Sequence, residues 1–373
     1  MPLPRAIDHL TGLSLPAGAT PRALPRLVRF RTDDPVLRAR YDDRVLYYSA
    51  VWMRDRGVLR LYGPRSLNLT PVLSRAGYAT ETGPLPTPRL RHFKRYVLAE
   101  FPLSAPADRL ILTLDGQTQE MAILHQATDV FAGLNTVYTM SQNNDPDWIV
   151  DWMRHLHRHH GAEALLISDN ASTAYTLDSL LERLRGLDFL KAVRVLSVPF
   201  KYGPSSAICR RASQARYLQT GIANTNRDLY LGKARAVLSC DVDEIVVSDS
   251  GASVFDAARG RRLGVMTIPG YWRFAKPGAD KPLHADHLWI DPARAKPCPT
   301  KYAIDPQGPV GRWSWMTHSL ESVPRGWISG APDFWFAHCH GISTRWKEGR
   351  EDTVDTAGWQ VDPRLQALWA RQG

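Results

Sequence analysis

Ala236-Val237-Leu238-Ser239-Cys240-Asp241-Val242-Asp243-Glu244-Ile245-Val246-Val247 is the stretch whose reading decides the fold. A strand through its first residues buries the aliphatic side chains, and three carboxylates at the strand's end stand where a sheet meets a ligand. Residues two apart share a strand face. Asp241 and Asp243 are therefore expected to approach one divalent cation together, with Glu244 on the opposite face in support.

Upstream, strand and helix patterns alternate. Thr136-Val137-Tyr138-Thr139-Met140 predicts a strand, polar Ser141-Gln142-Asn143-Asn144 follows, and Asp145-Pro146 is a helix-start signature. Ile149, Trp152, Met153 and Leu156 recur at helical spacing until Gly161. A second unit repeats the pattern: Ala164-Leu165-Leu166-Ile167-Ser168, the polar Asp169-Asn170-Ala171-Ser172, then Leu177, Leu180, Leu181 and Leu184 before Gly186. A third strand runs through residues 193–198. Such units predict an α/β fold, a Rossmann-like sheet with helices on both faces and right-handed crossovers. Ligands bind such sheets at the carboxyl ends of the strands, so residues 141–144, 169–172 and 241–244 are expected to be neighbours in space.

Residues 1–130 read as a smaller mixed accessory region containing strands, among them Val45-Leu46-Tyr47-Tyr48 and Leu110-Ile111-Leu112-Thr113-Leu114 before the turn Asp115-Gly116. Residues 131–350 form the predicted main domain and 351–373 a tail. Gly and Pro density between about 269 and 332 predicts long loops.

At 373 residues with 44% apolar side chains, the chain is long enough for a substantial core. It holds no uninterrupted apolar stretch of about 18 residues, and its first residues lack the apolar core of a secretory signal. The expectation is a cytoplasmic protein, with peripheral association at the inner membrane face as an option. A net charge of +10 suits an anionic surface or a phosphorylated ligand. Arginine is dispersed and nucleic-acid-binding signatures are missing, so nucleic acid is not the expected partner. Four scattered cysteines without a Cys-x-x-Cys pair speak against structural zinc or a disulfide framework.

Asp169-Asn170-Ala171-Ser172 after one strand and Asp241-Val242-Asp243-Glu244 after a later one together resemble the type A glycosyltransferases. With Trp148 through Ser172, His338 ahead of Gly341-Ile342-Ser343, and Trp346-Lys347, the chain more narrowly resembles bacterial members of glycosyltransferase families 2 and 92 over roughly residues 131–350. That resemblance implies a GT-A-type fold, a nucleotide-sugar donor, a glycan acceptor of the surface or capsular polysaccharide kind, and Mn²⁺ (or Mg²⁺) on the donor diphosphate.

By the same resemblance Asp241, Asp243 and His338 hold the metal, and Asp241 also reaches the ribose. Asn143, Asp169 and Asn170 contribute to the nucleoside pocket, and Lys347 and Arg350, with Arg345 nearby, neutralise the leaving diphosphate. Asp333 is the candidate base for the acceptor hydroxyl, with Glu321 and Asp286 as rivals. Relatives often carry Arg-Asn-Glu where this chain has Gln142-Asn143-Asn144, which removes a charge pair. The alternative for Asp169, Asn170 and Ser172 is a turn that caps the next helix. His340 shares the predicted strand face of His338. His155, His157, His159 and His160 read as surface residues at a helix C-terminus. Trp272, Trp313, Trp315 and Trp327 are candidates for stacking on sugars. The competing functions are a metal-dependent phosphoesterase or nucleotidyltransferase, and a non-catalytic glycan-binding module.

Overall fold

Asp145 accepts a hydrogen bond from the Asp147 amide, Pro146 occupies the first turn, and Gly161 closes the helix in the left-handed region at φ +71°, so Pro146–His160 is a capped helix as its sequence requires. It connects the strands Asn135–Ser141 and Ala164–Asp169. The helix Leu177–Arg185 leads on to Ala192–Ser197. These three strands are parallel and in register, with Ser141 beside Asp169 and Asp169 beside Ser197. In this computed structural model the described residues are 6–26, 28, 34–204, 212–276, 281–294, 297–330, 332–343, 356 and 358–370.

After the helix Leu218–Leu229 the chain reverses direction across the sheet. Ala236–Ser239 adds in parallel to the other side of Asn135–Ser141, with Tyr138 beside Ser239. The gap between these two strands is the topological switch point, where open α/β sheets bind ligands. Beyond it the sheet becomes mixed. Cys298–Ile304 and Val265–Phe274 pair antiparallel, Phe334–Ser343 runs parallel to Val265–Phe274, and Glu244–Ser248 lies antiparallel to Phe334–Ser343.

This eleven-stranded sheet also draws on chain outside residues 131–350. Ile7–His9 extends one edge in parallel with Ala192–Ser197, and Gln360–Val361 pairs with Trp289–Ile290 at another. Alternation along the strands divides the core. Val137, Leu165 and Leu238 face Ile149, Trp152, Met153 and Leu156, whereas Tyr138, Leu166 and Val237 face Ala223, Leu229 and the N-terminal sheet.

That second sheet has eight strands between Gly77 and His125 and between Ser49 and Pro102, and it includes the expected hairpin of Arg109–Leu114 and Gln117–His125. Asp115 and Gly116 both have positive φ, +49° and +76°, the geometry whose twist suits a two-residue hairpin. Among the described residues, no helix is long and apolar enough to cross a membrane.

Candidate metal centre and its cavity

Residues 240–243 make a turn and do not continue the strand: the Glu244 amide donates to the Asp241 carbonyl at 3.0 Å, and the next strand begins at Glu244. The two-residue rule for strand faces therefore does not govern the acidic cluster. The Asp241 carboxylate pairs with the Lys301 ammonium. Glu244 turns back, accepting from the Asp241 amide at 2.8 Å and lying 3.1 Å from Lys301 Nζ.

Asp243 and Glu244 converge instead with His338, each offering a ligand atom within 4.8 Å of the others. Strand pairing sets this up, because His338 lies directly opposite Glu244. His338 Nε2 is 3.1 Å from Asp243 Oδ2, Nδ1 is 3.8 Å from Glu244 Oε1, and Nδ1 is buried without a hydrogen-bond partner among the described residues. Trp272 stacks on the imidazole, with ring centroids 3.9 Å apart and planes at 27°.

Among the described residues, three carboxylates here face one buried ammonium. Burial works against the Lys301 charge, but Asp241 and Glu244 outweigh it and hold its pKa well above the ordinary lysine value. Burial, with the negative charges of Asp241 and Asp243, pushes Glu244 well above the carboxylate range. Two carboxylates with an imidazole suit Mn²⁺ or Mg²⁺ better than a thiophilic ion. The donor set and the orphaned His338 Nδ1 fit such an ion. Asp241 belongs with Lys301, one residue shell away.

The turn is fixed from behind. Trp152 Nε1 donates to the Glu244 carbonyl at 2.9 Å, the Cys339 amide donates to the Asp243 carbonyl at 2.8 Å, and the His284 ring lies 2.8 Å from the Val242 carbonyl. His155 and His160 are buried, not at the surface as expected, and their Nε2 atoms lie 2.8 and 2.9 Å from the Val246 carbonyl.

The cluster opens onto a cavity of about 960 Å³ at the switch point, where Met140 and Asn144 follow one strand and residues 241–244 follow the other. Its lining also includes Arg95, Arg216, His318, Glu321 and Arg325. Arg216 is held by Nε donating to the Pro204 carbonyl at 2.8 Å, while its buried Nη2 has no partner among the described residues. Burial and the neighbouring Arg216 charge depress the Arg95 guanidinium. Burial and Lys301 bring His318 down to about 4, so its ring is neutral near pH 7.

Asn143, Asp169 and Asn170 do not line this cavity. Asp169 is 1% exposed; it accepts from the Ser172 amide at 2.9 Å, the Ser172 hydroxyl at 2.6 Å and the Tyr175 hydroxyl at 3.0 Å. Asn170 Nδ2 donates to the Val198 and Phe200 carbonyls, and Asn143 Oδ1 accepts from the Thr173 and Ala174 amides. These side chains tie adjacent loops together, the hydrogen-bonding pattern of the turn alternative. The cavity receives Asn144 instead.

Asp333 lies just before the strand Phe334–Ser343 that carries His338, five residues away or about 16 Å along extended chain, and its carboxylate accepts from Ser250 Oγ at 2.5 Å outside the cavity. Of its rivals, Asp286 caps the Leu283 amide, whereas Glu321 lines the cavity and accepts from the Lys94 amide and the Ser314 hydroxyl, both at 2.9 Å. His340 lies against Phe274, outside the metal group. Lys347, Arg350 and Arg345 lie outside the described residues. Lys301 was missed by the sequence reading; a single lysine within Tyr302-Ala303-Ile304's strand was its only signal.

No protein-family model matches the chain, and a search of curated proteins returns no similar sequence.

Proposed function

We propose that this protein is a metal-dependent glycosyltransferase of the type A fold, moving a sugar from a nucleoside-diphosphate donor to a hydroxyl of a glycan. The observation that carries the reading is the convergence of Asp243, Glu244 and His338 at the switch point, facing an arginine-lined cavity large enough for a nucleotide sugar. The order of strands and the acidic turn after the parallel strand Ala236–Ser239 support it as well.

Asp243, Glu244 and His338 hold the cation, and Lys301 keeps Asp241 and Glu244 in place. When bound, the ion supplies Lewis-acid charge to the departing diphosphate. Arg95 and Arg216, in the lining of the same cavity, bind the donor phosphates. Glu321, in place of Asp333, accepts the proton of the acceptor hydroxyl. That oxygen bonds to the anomeric carbon as the carbon–oxygen bond to the diphosphate breaks. This chemistry belongs in the cytoplasm or at the inner membrane face.

The test is incubation with Mn²⁺ and a panel of nucleotide sugars, reading sugar-dependent release of nucleoside diphosphate. Asp243→Ala should reduce release at least about a thousandfold while the melting curve is retained. Hydrolysis of simple phosphoesters without sugar transfer would move the assignment to a phosphoesterase, and neither activity would leave a glycan-binding module.

A further inference from the structure

Glu321 and Ser322 line two cavities at once: the one at the metal centre and a second, of about 970 Å³, walled by the N-terminal sheet, the helix Leu218–Leu229 and residues 306–314. Much of the basic charge in the second is already neutralised. Arg60 is paired with Glu100 and Asp228, Arg227 with Asp228, and Lys233 with Asp129.

Three arginines of its lining are different. Arg56, Arg91 and Arg312 have no carboxylate within ion-pair distance among the described residues, and Arg91 lies over the Phe93 ring at 5.3 Å. Partial burial and the positive charges of Arg60 and Arg312 depress the Arg56 guanidinium, outweighing the smaller opposing effects of Asp228 and Glu100. Such a cluster attracts an anion, and guanidinium groups bind carboxylate or phosphate through paired donors.

Next to Arg312 stands Trp313, which lines the same cavity and is 45% exposed. Its backbone is anchored, because Arg227 Nη1 donates to its carbonyl at 2.6 Å. An exposed indole beside arginines offers a flat apolar face and a charged edge, the combination that accommodates a sugar ring bearing an acid group.

We propose that the second cavity binds an anionic saccharide, one bearing carboxylate or phosphate groups, and that this saccharide is the acceptor presenting its hydroxyl to Glu321. Its role as acceptor rests on the glycosyltransferase reading; its binding does not.

Calorimetry on the full chain without nucleotide or metal tests the binding, with hexagalacturonate as the carboxylate probe, pentamannose 6-phosphate as the phosphate probe and maltohexaose as the neutral control. One charged probe should bind at least about tenfold more tightly than maltohexaose and lose at least about tenfold in the Arg56→Gln/Arg312→Gln protein. Trp313→Ala should weaken it as well, and binding should quench the indole emission. Both arginines are exposed, and an unchanged melting curve establishes that the double variant is folded.

Equal affinity for charged and neutral saccharides would overturn the proposal, as would full affinity in the double variant or tighter binding of a six-nucleotide oligo-dT. Failure to release diphosphate from any nucleotide sugar would defeat the transferase reading while leaving this binding result standing.

Discussion

Lys301 is 2% exposed, yet it carries its charge between Asp241 and Glu244. Replacing it by Met leaves two carboxylates beside an apolar side chain, and breaking a buried ion pair on one side costs about 3–5 kcal/mol. Urea unfolding of Lys301→Met should show that loss, with Mn²⁺ restoring more stability to the variant than it adds to the parent. A loss under about 1 kcal/mol would mean that Lys301 does not neutralise the turn. The ligand assignment has its own test at this scale. Asp243→Asn removes a proposed ligand and should abolish measurable Mn²⁺ binding in calorimetry, whereas Asp241→Asn removes a supporting carboxylate and should weaken it about 10–100-fold. Equal effects would return Asp241 to the ion.

The acidic turn is held by an element far away in sequence. Trp152, on the helix Pro146–His160, is fully buried and donates its indole N–H to the Glu244 carbonyl. Trp152→Phe keeps most of the apolar volume but leaves that carbonyl unpaired, at a cost of about 1–3 kcal/mol. The same change should weaken Mn²⁺ binding about tenfold by loosening the turn, and unchanged affinity would show that the helix supports the core alone. This helix and its neighbours were legible from sequence, since caps and apolar periodicity are local signals: Asp145, Pro146 and Gly161 set its ends. The site was legible only in part. Asp243 and His338, both read as site residues, do lie together, and Glu244, read as a supporting residue on the opposite strand face, converges with them because residues 240–243 form a turn to which strand alternation does not apply. His155 and His160 were misread because their acceptor, Val246, lies some ninety residues downstream. Asp333 stands just before the strand Phe334–Ser343, and which end of that strand faces the cavity depends on its pairing with Glu244–Ser248, which sequence order does not give.

At the scale of the molecule, the two sheets are joined through polar groups whose charge states determine how the protein responds to acid. Asp228 binds Arg60, Arg227 and the Tyr62 hydroxyl at the junction. Although burial opposes its charge, the two arginines hold its pKa well below the usual carboxylate value. Its contribution is therefore complete above about pH 4, the unfolded value, and is lost only at lower pH. The histidines behind the acidic turn respond earlier. Burial lowers His160 to about 4 and also lowers His155, both of which face the Val246 carbonyl; His160 Nδ1 additionally accepts from the Val254 amide at 3.3 Å. Between about pH 6.5 and pH 4 the unfolded chain binds protons that these folded-state rings refuse, so stability must fall as pH falls. Each ring contributes a slope of up to about 1.4 kcal/mol per pH unit in that window. Urea midpoints measured from pH 7.5 to pH 5 should decline accordingly, and His160→Gln should remove about half of the slope due to this pair. A flat profile in the parent protein would show that the folded rings take up protons as readily as the unfolded chain does.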